Sequence, residues 1–287
     1  MNSWPSPGPL QNNFWITFLG AAPVVRRREN SYLDLMLTFF DGLLWLLAAL
    51  ALLLVLQRSL HHEIQAVILI ITRNPQLTIG VFSLLFFPGV FLHELSHLLM
   101  AKLLGVPTGK FSLLPQVMPD GRLQLGYVEA ASADFFRDSL VGVAPLVSGI
   151  VFIAFAANWP MHLTIMWETL RNGQWSLFLM GLQALPTVPD FWLWFYATFA
   201  VSATMMPSES DRHAWLPLGL VSAALLVLAV LAGAGPWMLA NLARPFNQFL
   251  RSTALIVLVS IIVHIILILP LMLLHRILTK ATGLDVG

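Results

Sequence analysis

Long apolar blocks alternate with short polar segments along the whole chain. Six of these blocks have about the length that a helix needs to cross the hydrocarbon core of a bilayer. They cover residues 35–56, 77–104, 136–158, 189–206, 216–234 and 253–275. The pattern predicts an all-α polytopic membrane protein with about six transmembrane helices, and the short apolar stretch 64–72 predicts a separate helix at the membrane interface.

One connection departs from the helical pattern. Residues 108–129 contain two short runs that partly alternate apolar and polar side chains, and Pro119-Asp120-Gly121 lies between them. This tripeptide favours a tight turn, so the segment predicts a small β-hairpin or sheet between the second and third spans. Because lipid does not tolerate open strand edges, we expect the hairpin at the cytoplasmic interface, or inside the protein with one edge free for a partner.

Composition supports a membrane protein and narrows its chemistry. Of the 287 residues 58% are hydrophobic and only 10% are charged, whereas a soluble domain carries roughly a quarter charged residues. The net charge of +1 gives no excess of basic residues that could bind nucleic acid. We therefore expect the protein to contact the lipid bilayer and to have no nucleic-acid partner. Since the chain has no cysteine, any metal site must use His, Asp or Glu.

The distribution of basic residues predicts an orientation. With six spans, the side of the N-terminus receives ten Lys and Arg residues and the other side receives five. The positive-inside rule then predicts a multi-pass protein of the cell membrane with both termini in the cytoplasm. We expect one membrane domain with three parts, namely an N-terminal segment with the first span (1–76), a core of three spans (77–215) and two C-terminal spans (216–287).

The second span carries the most informative motif, His93-Glu94-Leu95-Ser96-His97. Two histidines four positions apart project from one face of a helix and can share a metal ion. Glu94 is placed to take a proton from a metal-bound water and to pass it to a leaving amine. Ionisable residues within a span cost several kcal/mol each and are usually kept for function, which favours a metal site over chance.

A catalytic zinc ion needs a third protein ligand and one open position. Both histidines lie toward the C-terminal end of the second span, and the predicted fourth span ends on the same side of the membrane. Among the polar residues that follow it, Asp211 is the first candidate, Glu209 the second and His213 the third. The alternative is an ordinary polar loop without a ligand, in which Ser208 caps a helix.

Three segments resemble the site-2 protease family of intramembrane zinc metalloproteases. The first and most specific runs from His93 to Pro107, with Ala101 and Gly105 at the family's small-residue positions. In the second, Val143-Ala144-Pro145-Leu146-Val147-Ser148 is similar to the family's Ala-Gly-Pro-x-x-Asn on the next core helix. In the third, the segment from Thr204 to Asp211 is similar to a family segment whose aspartate is the third zinc ligand.

The resemblance implies one zinc ion held by His93, His97 and Asp211, with Glu94 as the catalytic base. It also implies cleavage of a transmembrane protein or peptide substrate near the cytoplasmic face, with the hairpin receiving the unwound substrate as an added strand. Ser148 and Thr204 stand where the family has asparagines, which are proposed to position the substrate or its oxyanion. The spacing from Pro207 to Asp211 is one residue shorter than in the family, and Arg212 replaces a glycine.

Two other classes of function are open to the same sequence. The missing asparagines favour a zinc-binding scaffold of the same fold without turnover, whereas the presence of Glu94 favours the protease, because a scaffold needs no base. A metal or ion transporter is disfavoured, because the polar residues within the spans cluster at one face and do not complete a path across the membrane.

Overall fold

The computed structural model describes residues 32–117 and 123–284, with side chains from Asp41 onward. The predicted turn at Pro119-Asp120-Gly121 lies outside these residues. So do the three arginines at positions 26–28, which count toward the predicted orientation. Long helices dominate the fold, and a small sheet follows the second of them. The helices are α1 (Tyr32–Thr72), α2 (Pro75–Leu103), α3 (Phe135–Asn158), α4 (Leu163–Arg171), α5 (Trp175–Ala184), α6 (Phe191–Ser202), α7 (Trp215–Ala229), α8 (Gly235–Met238) and α9 (Arg244–Thr282).

The sheet segment lies between α2 and α3. Its strands are β1 (Thr108–Ser112), β2 (Gln116–Val117), β3 (Leu123–Gln124) and β4 (Tyr127–Ala130). The first pairs antiparallel with the last and the two inner strands pair with each other, so that Phe111 lies opposite Val128 and Val117 opposite Leu123. The antiparallel pairing of these strands confirms the predicted β-hairpin.

Local signals explain where α2 begins and ends. The side chain of Asn74 accepts hydrogen bonds from the backbone N–H groups of Gln76 and Leu77, at 2.9 and 3.3 Å, and Pro75 occupies the first helical position. After Leu103 the chain turns through Gly105, whose φ of 68° is a left-handed conformation that suits glycine. These signals place the His93–His97 turn in the C-terminal third of the helix.

Within the part of the chain that the structure describes, four helical stretches are long and apolar enough to cross a membrane. They are Asp41–Thr72, Pro75–Leu103, Phe135–Asn158 and Trp215–Thr282. An all-helical polytopic architecture with a small sheet agrees with the prediction at this level. The predicted span 189–206 is represented by α6, which has 12 residues and is therefore about 18 Å long.

Two predicted boundaries differ from the structure. The separate interfacial helix expected at 64–72 is the C-terminal part of α1, which continues unbroken because Ile64, Val67 and Ile70 are buried in the bundle. The predicted spans 216–234 and 253–275 fall within one helical stretch, which is interrupted by two π-helical turns (230–234 and 239–243) and by a φ of 87° at Gly233.

Helices α1 and α9 pack against each other and run in the same direction along much of their length. At one end, Asn247 Oδ1 accepts a hydrogen bond from the backbone N–H of Gly42 at 2.8 Å, and Arg251 forms an ion pair with Asp41. At the other end, Glu63 Oε2 lies 2.7 Å from His275 Nδ1. The start of α1 and the end of α9 are therefore at opposite ends of the bundle.

The six predicted crossings would place the start of α1 and the end of α9 at one end of the bundle, whereas the structure places them at opposite ends. The reason is the course of residues 215–243. The carbonyl of Ala214, just before α7, accepts a hydrogen bond from Ser139 near the start of α3, at 3.0 Å. Asn247, just after this segment, lies beside Gly42 at the same end of the bundle. The chain thus leaves and returns at one end, with the break at Gly233 between, so the segment adds no net crossing.

Candidate metal centre

His93 and His97 lie one turn apart on α2, and each ring is fixed by a backbone carbonyl from another element. Nδ1 of His93 lies 2.7 Å from the carbonyl oxygen of Thr204, and Nδ1 of His97 lies 2.9 Å from that of Val141. Because a carbonyl can only accept, both Nδ1 atoms carry the hydrogen. In the neutral rings the Nε2 atoms therefore hold free lone pairs, which is the form that binds a metal.

The two Nε2 atoms point to one place and lie 3.2 Å apart. The carboxylate of Asp211 completes the group, with Oδ1 3.3 Å from His97 Nε2 and Oδ2 3.9 Å from His93 Nε2. Two lone pairs and a carboxylate at this distance repel one another unless a cation lies among them. Ligands at 2.0–2.1 Å around a tetrahedral ion are about 3.3 Å apart, so the spacing suits a small metal ion such as zinc.

The short segment after α6 positions Asp211. Its Oδ2 accepts hydrogen bonds from the backbone N–H of Ser208 at 2.7 Å and from the Ser208 hydroxyl at 2.6 Å. These two hydrogen bonds favour the ionised form of the Asp211 carboxyl. The side chain is therefore an oriented carboxylate, ready to act as a ligand.

A close approach between two backbones brings this segment to the histidines. A Cβ atom at Gly142, on α3, would collide with the carbonyl oxygen of Asp211. At Gly89, one turn before His93 on α2, a Cβ atom would collide with the carbonyl oxygen of Ala200. Glycine at these two positions therefore allows α6 and the segment that follows it to approach α2 and α3 closely enough to complete the group.

Glu94 lies between the metal-ligand group and the hairpin. Glu94 is 8% exposed, and its carboxyl group lies close enough to His97 and Asp211 to interact electrostatically with both. A Cβ atom at Gly126, just before β4, would lie 3.0 Å from Cγ of Glu94. The side chain is thus beside the candidate ligands and also beside the backbone that enters the last strand.

The structure separates the three candidates for the third ligand. Among the described residues, His93, His97 and Asp211 have ligand atoms within 4.8 Å of one another and can hold a metal ion. Glu209 is exposed and does not belong to this group. His213 faces elsewhere, with Nε2 3.5 Å from Asp138 Oδ2 and Nδ1 2.6 Å from the carbonyl of Ser210.

Ser148 and Thr204 bind carbonyls of their own chain segments. The hydroxyl of Ser148 donates to Pro145 at 3.1 Å, and that of Thr204 donates to Ala200 at 3.0 Å. Thr204 contributes to the group through its backbone carbonyl, which holds His93. Ser208 is not a helix cap as in the alternative interpretation, because its hydroxyl binds Asp211 and α7 begins only at Trp215.

Sequence reasoning missed Val141 and Gly142 as part of this site. Val141 acts through its carbonyl and Gly142 through the absence of a side chain, so neither residue type carries a chemical signal in the sequence. The small residues of α3, which include Gly142, Ala144 and Gly149, were the available hint that another segment approaches this helix.

Comparison with protein-family models, with curated proteins and with solved structures finds no match to this chain.

Proposed function

We propose that this protein is an intramembrane zinc metalloprotease that hydrolyses a peptide bond in or near a transmembrane segment of a membrane protein. The observation that carries the proposal is the convergence of His93 Nε2, His97 Nε2 and an Asp211 oxygen at the spacing of a tetrahedral site, with Glu94 alongside. Two imidazoles and one carboxylate are a donor set found in catalytic zinc sites, which keep a fourth position open.

The chemistry divides among these residues. Zinc bound there would act as a Lewis acid, which polarises a carbonyl group and makes water acidic enough to serve as a nucleophile near pH 7. Glu94 takes the proton from the attacking water and delivers it to the leaving amine. The carbonyls of Thr204 and Val141 keep both histidines in the tautomer that presents Nε2 to the metal.

The substrate would meet the site along the hairpin. A helical segment must unwind before its carbonyl can reach the metal, and an extended segment can add to a strand edge through main-chain hydrogen bonds. The contact between Gly126 and Glu94 supports this path, because it puts the base next to the strand backbone.

We place the Asp211 end of the bundle at the cytoplasmic face. The basic run Arg26–Arg28 precedes α1 in the sequence, and the Asp41 end of α1 lies at the same end of the bundle as Asp211. In this arrangement α1, α2, α3 and α9 cross the membrane, the shorter α6 leads the chain back inside the protein toward the cytoplasmic face, and residues 215–243 enter and return. The C-terminal end of α9 then lies at the opposite face.

The decisive test combines metal analysis with cleavage of a model transmembrane substrate, for the native chain and for Glu94→Gln. We expect zinc in both proteins and a loss of cleavage of about 100-fold or more in the variant, the usual effect of removing a general base. Glu129→Gln is the matched control. That exposed carboxylate accepts a hydrogen bond from the backbone N–H of Lys110 and does not belong to the metal-ligand group. A native protein that binds no zinc would exclude the proposal.

A second candidate is a zinc-binding scaffold of the same fold without turnover. It is favoured by the bonding of Ser148 and Thr204, whose hydroxyls are engaged with carbonyls where the resembling family has asparagine side chains. Zinc in both the native chain and Glu94→Gln, with cleavage by neither, would support this candidate over the protease.

A further inference from the structure

A second group of ionisable side chains lies at the opposite end of the α1–α9 pair. There, α1 and α9 line an open cavity of about 320 Å³. One carboxylate, one imidazole, two cationic side chains, a hydroxyl and a thioether line it, contributed by Glu63, Met272, His275, Arg276, Thr279 and Lys280. The proposed metalloprotease activity makes no use of any of these residues.

Glu63 holds His275 in a fixed orientation. Its Oε2 lies 2.7 Å from Nδ1 of the ring, and the two side chains are only 16% and 14% exposed. Because an ionised carboxylate can only accept, Nδ1 carries the hydrogen and Nε2 is the atom left for another group. Nε2 is buried and has no hydrogen-bond partner among the described residues. The Glu63–His275 pair thus stays within the wall of the cavity and, in the described part of the chain, leaves its cationic groups without a counter-charge.

The cavity has an excess of positive charge. Arg276 and Lys280 are one turn apart on α9 and project from the same face as Thr279. Within residues 32–117 and 123–284 neither of the two cations forms an ion pair, while the single carboxylate of Glu63 is already engaged by His275. Guanidinium, ammonium and hydroxyl groups on one face are the donors that phosphate oxygens accept from.

The depth of the cavity identifies where such a phosphate group would come from. The apolar block of α1 ends at residue 56, before Glu63, and that of α9 ends at residue 275. Helix α9 therefore leaves the hydrocarbon at the level of the cavity, which is where phospholipid headgroups lie, while the apolar stretch 64–72 of α1 continues beyond Glu63. Basic pockets between transmembrane helices are known binding sites for anionic headgroups.

We propose that this cavity binds a phosphate group, with Arg276 and Lys280 as the principal donors and the hydroxyl of Thr279 as a further polar contact. An anionic phospholipid headgroup and free phosphate share this chemistry. A bound lipid would join the ends of α1 and α9, and so stabilise the pair.

The test measures binding of phosphatidylglycerol to the full chain in detergent by native mass spectrometry, with diacylglycerol as the uncharged comparison and millimolar inorganic phosphate as competitor. The double variant Arg276→Gln/Lys280→Gln removes both cations, and because both side chains are exposed the helix packing is kept. The control, Arg58→Gln/Arg73→Gln, removes the same charge from exposed positions of α1 and the residue after it that do not line the cavity.

We expect phosphatidylglycerol to bind the native chain and the control equally, and the cavity variant at least about tenfold more weakly. Competition by inorganic phosphate would show that the site accepts the free anion; without competition, the lipid headgroup is the ligand. The proposal is overturned if neither ligand binds, if diacylglycerol binds equally well, or if the control loses as much affinity as the cavity variant.

Discussion

Asp211 Oδ1 lies 3.3 Å from Nε2 of His97, although the two residues belong to elements separated by the hairpin and several helices. The contact requires a glycine at position 142 of the neighbouring helix α3, so that the segment after α6 can reach the face of α2 that bears the histidines. The candidate site is thus a product of helix packing as much as of the motif on α2.

Replacing Asp211 should weaken zinc binding, whereas replacing Glu209 should leave zinc binding unchanged. We expect Asp211→Asn to lower zinc affinity by about 100-fold or more, since an amide is a weaker ligand than a carboxylate and loss of an outer-shell partner alone costs 10–100-fold. Zinc content and competition with a chelator measure the effect. Glu209→Gln is the matched control, and equal loss from both variants would contradict the assignment of the third ligand.

A methyl group at Gly142 should weaken the same site without touching a ligand. In Gly142→Ala the new Cβ must displace the backbone of Asp211, and we expect zinc affinity to fall by about tenfold, as for the loss of other supporting contacts. Gly80→Ala is the control, because it lies on α2 and a Cβ there meets no atom within 4 Å. If both variants retain native affinity, the close approach does not position Asp211.

Shortening a buried side chain of the bundle should lower the free energy of unfolding more than shortening an exposed one. Leu53 is fully buried and belongs to a cluster with Ile153 and Val257, whereas its neighbour Leu52 is 46% exposed. We expect Leu53→Ala to lower the free energy of unfolding by about 2 kcal/mol, the low end for a buried leucine, because lipid is as apolar as the protein interior and little transfer energy is lost.

Leu52→Ala is the control for this packing, and unfolding in mixed micelles is the measurement. A loss of stability in Leu52→Ala equal to that in Leu53→Ala would mean that the Leu53 cluster is not the packed core.

Single-cysteine labelling can test the course of the chain, because the native sequence has no cysteine. An impermeant reagent should label Arg212→Cys and Lys280→Cys from opposite sides of the membrane, since α1 and α9 are parallel and residues 215–243 return to the end where they start. Arg73→Cys should react from the same side as Lys280→Cys. Labelling of Arg212→Cys and Lys280→Cys from one side would instead favour six crossings.

The sequence by itself determined the features that depend on local spacing and composition. Long apolar blocks predict membrane helices, and the two alternating runs around residue 120 predict paired strands, because these patterns reflect what one helix or one hairpin must bury. Residues 93–97 likewise place two imidazoles on one face of a helix. The choice of Asp211 before Glu209 came from the predicted topology and the family resemblance, and the structure brings Asp211 to the histidines.

Only the tertiary structure decided the features that depend on contacts between distant elements. The carbonyls of Val141 and Thr204 orient the histidines, but a backbone carbonyl is present at every residue and gives no signal in the sequence. The pairing of α1 with α9 and the return of residues 215–243 also escaped the apolar pattern, because hydrophobicity records that a segment avoids water and not which end of its neighbour it meets.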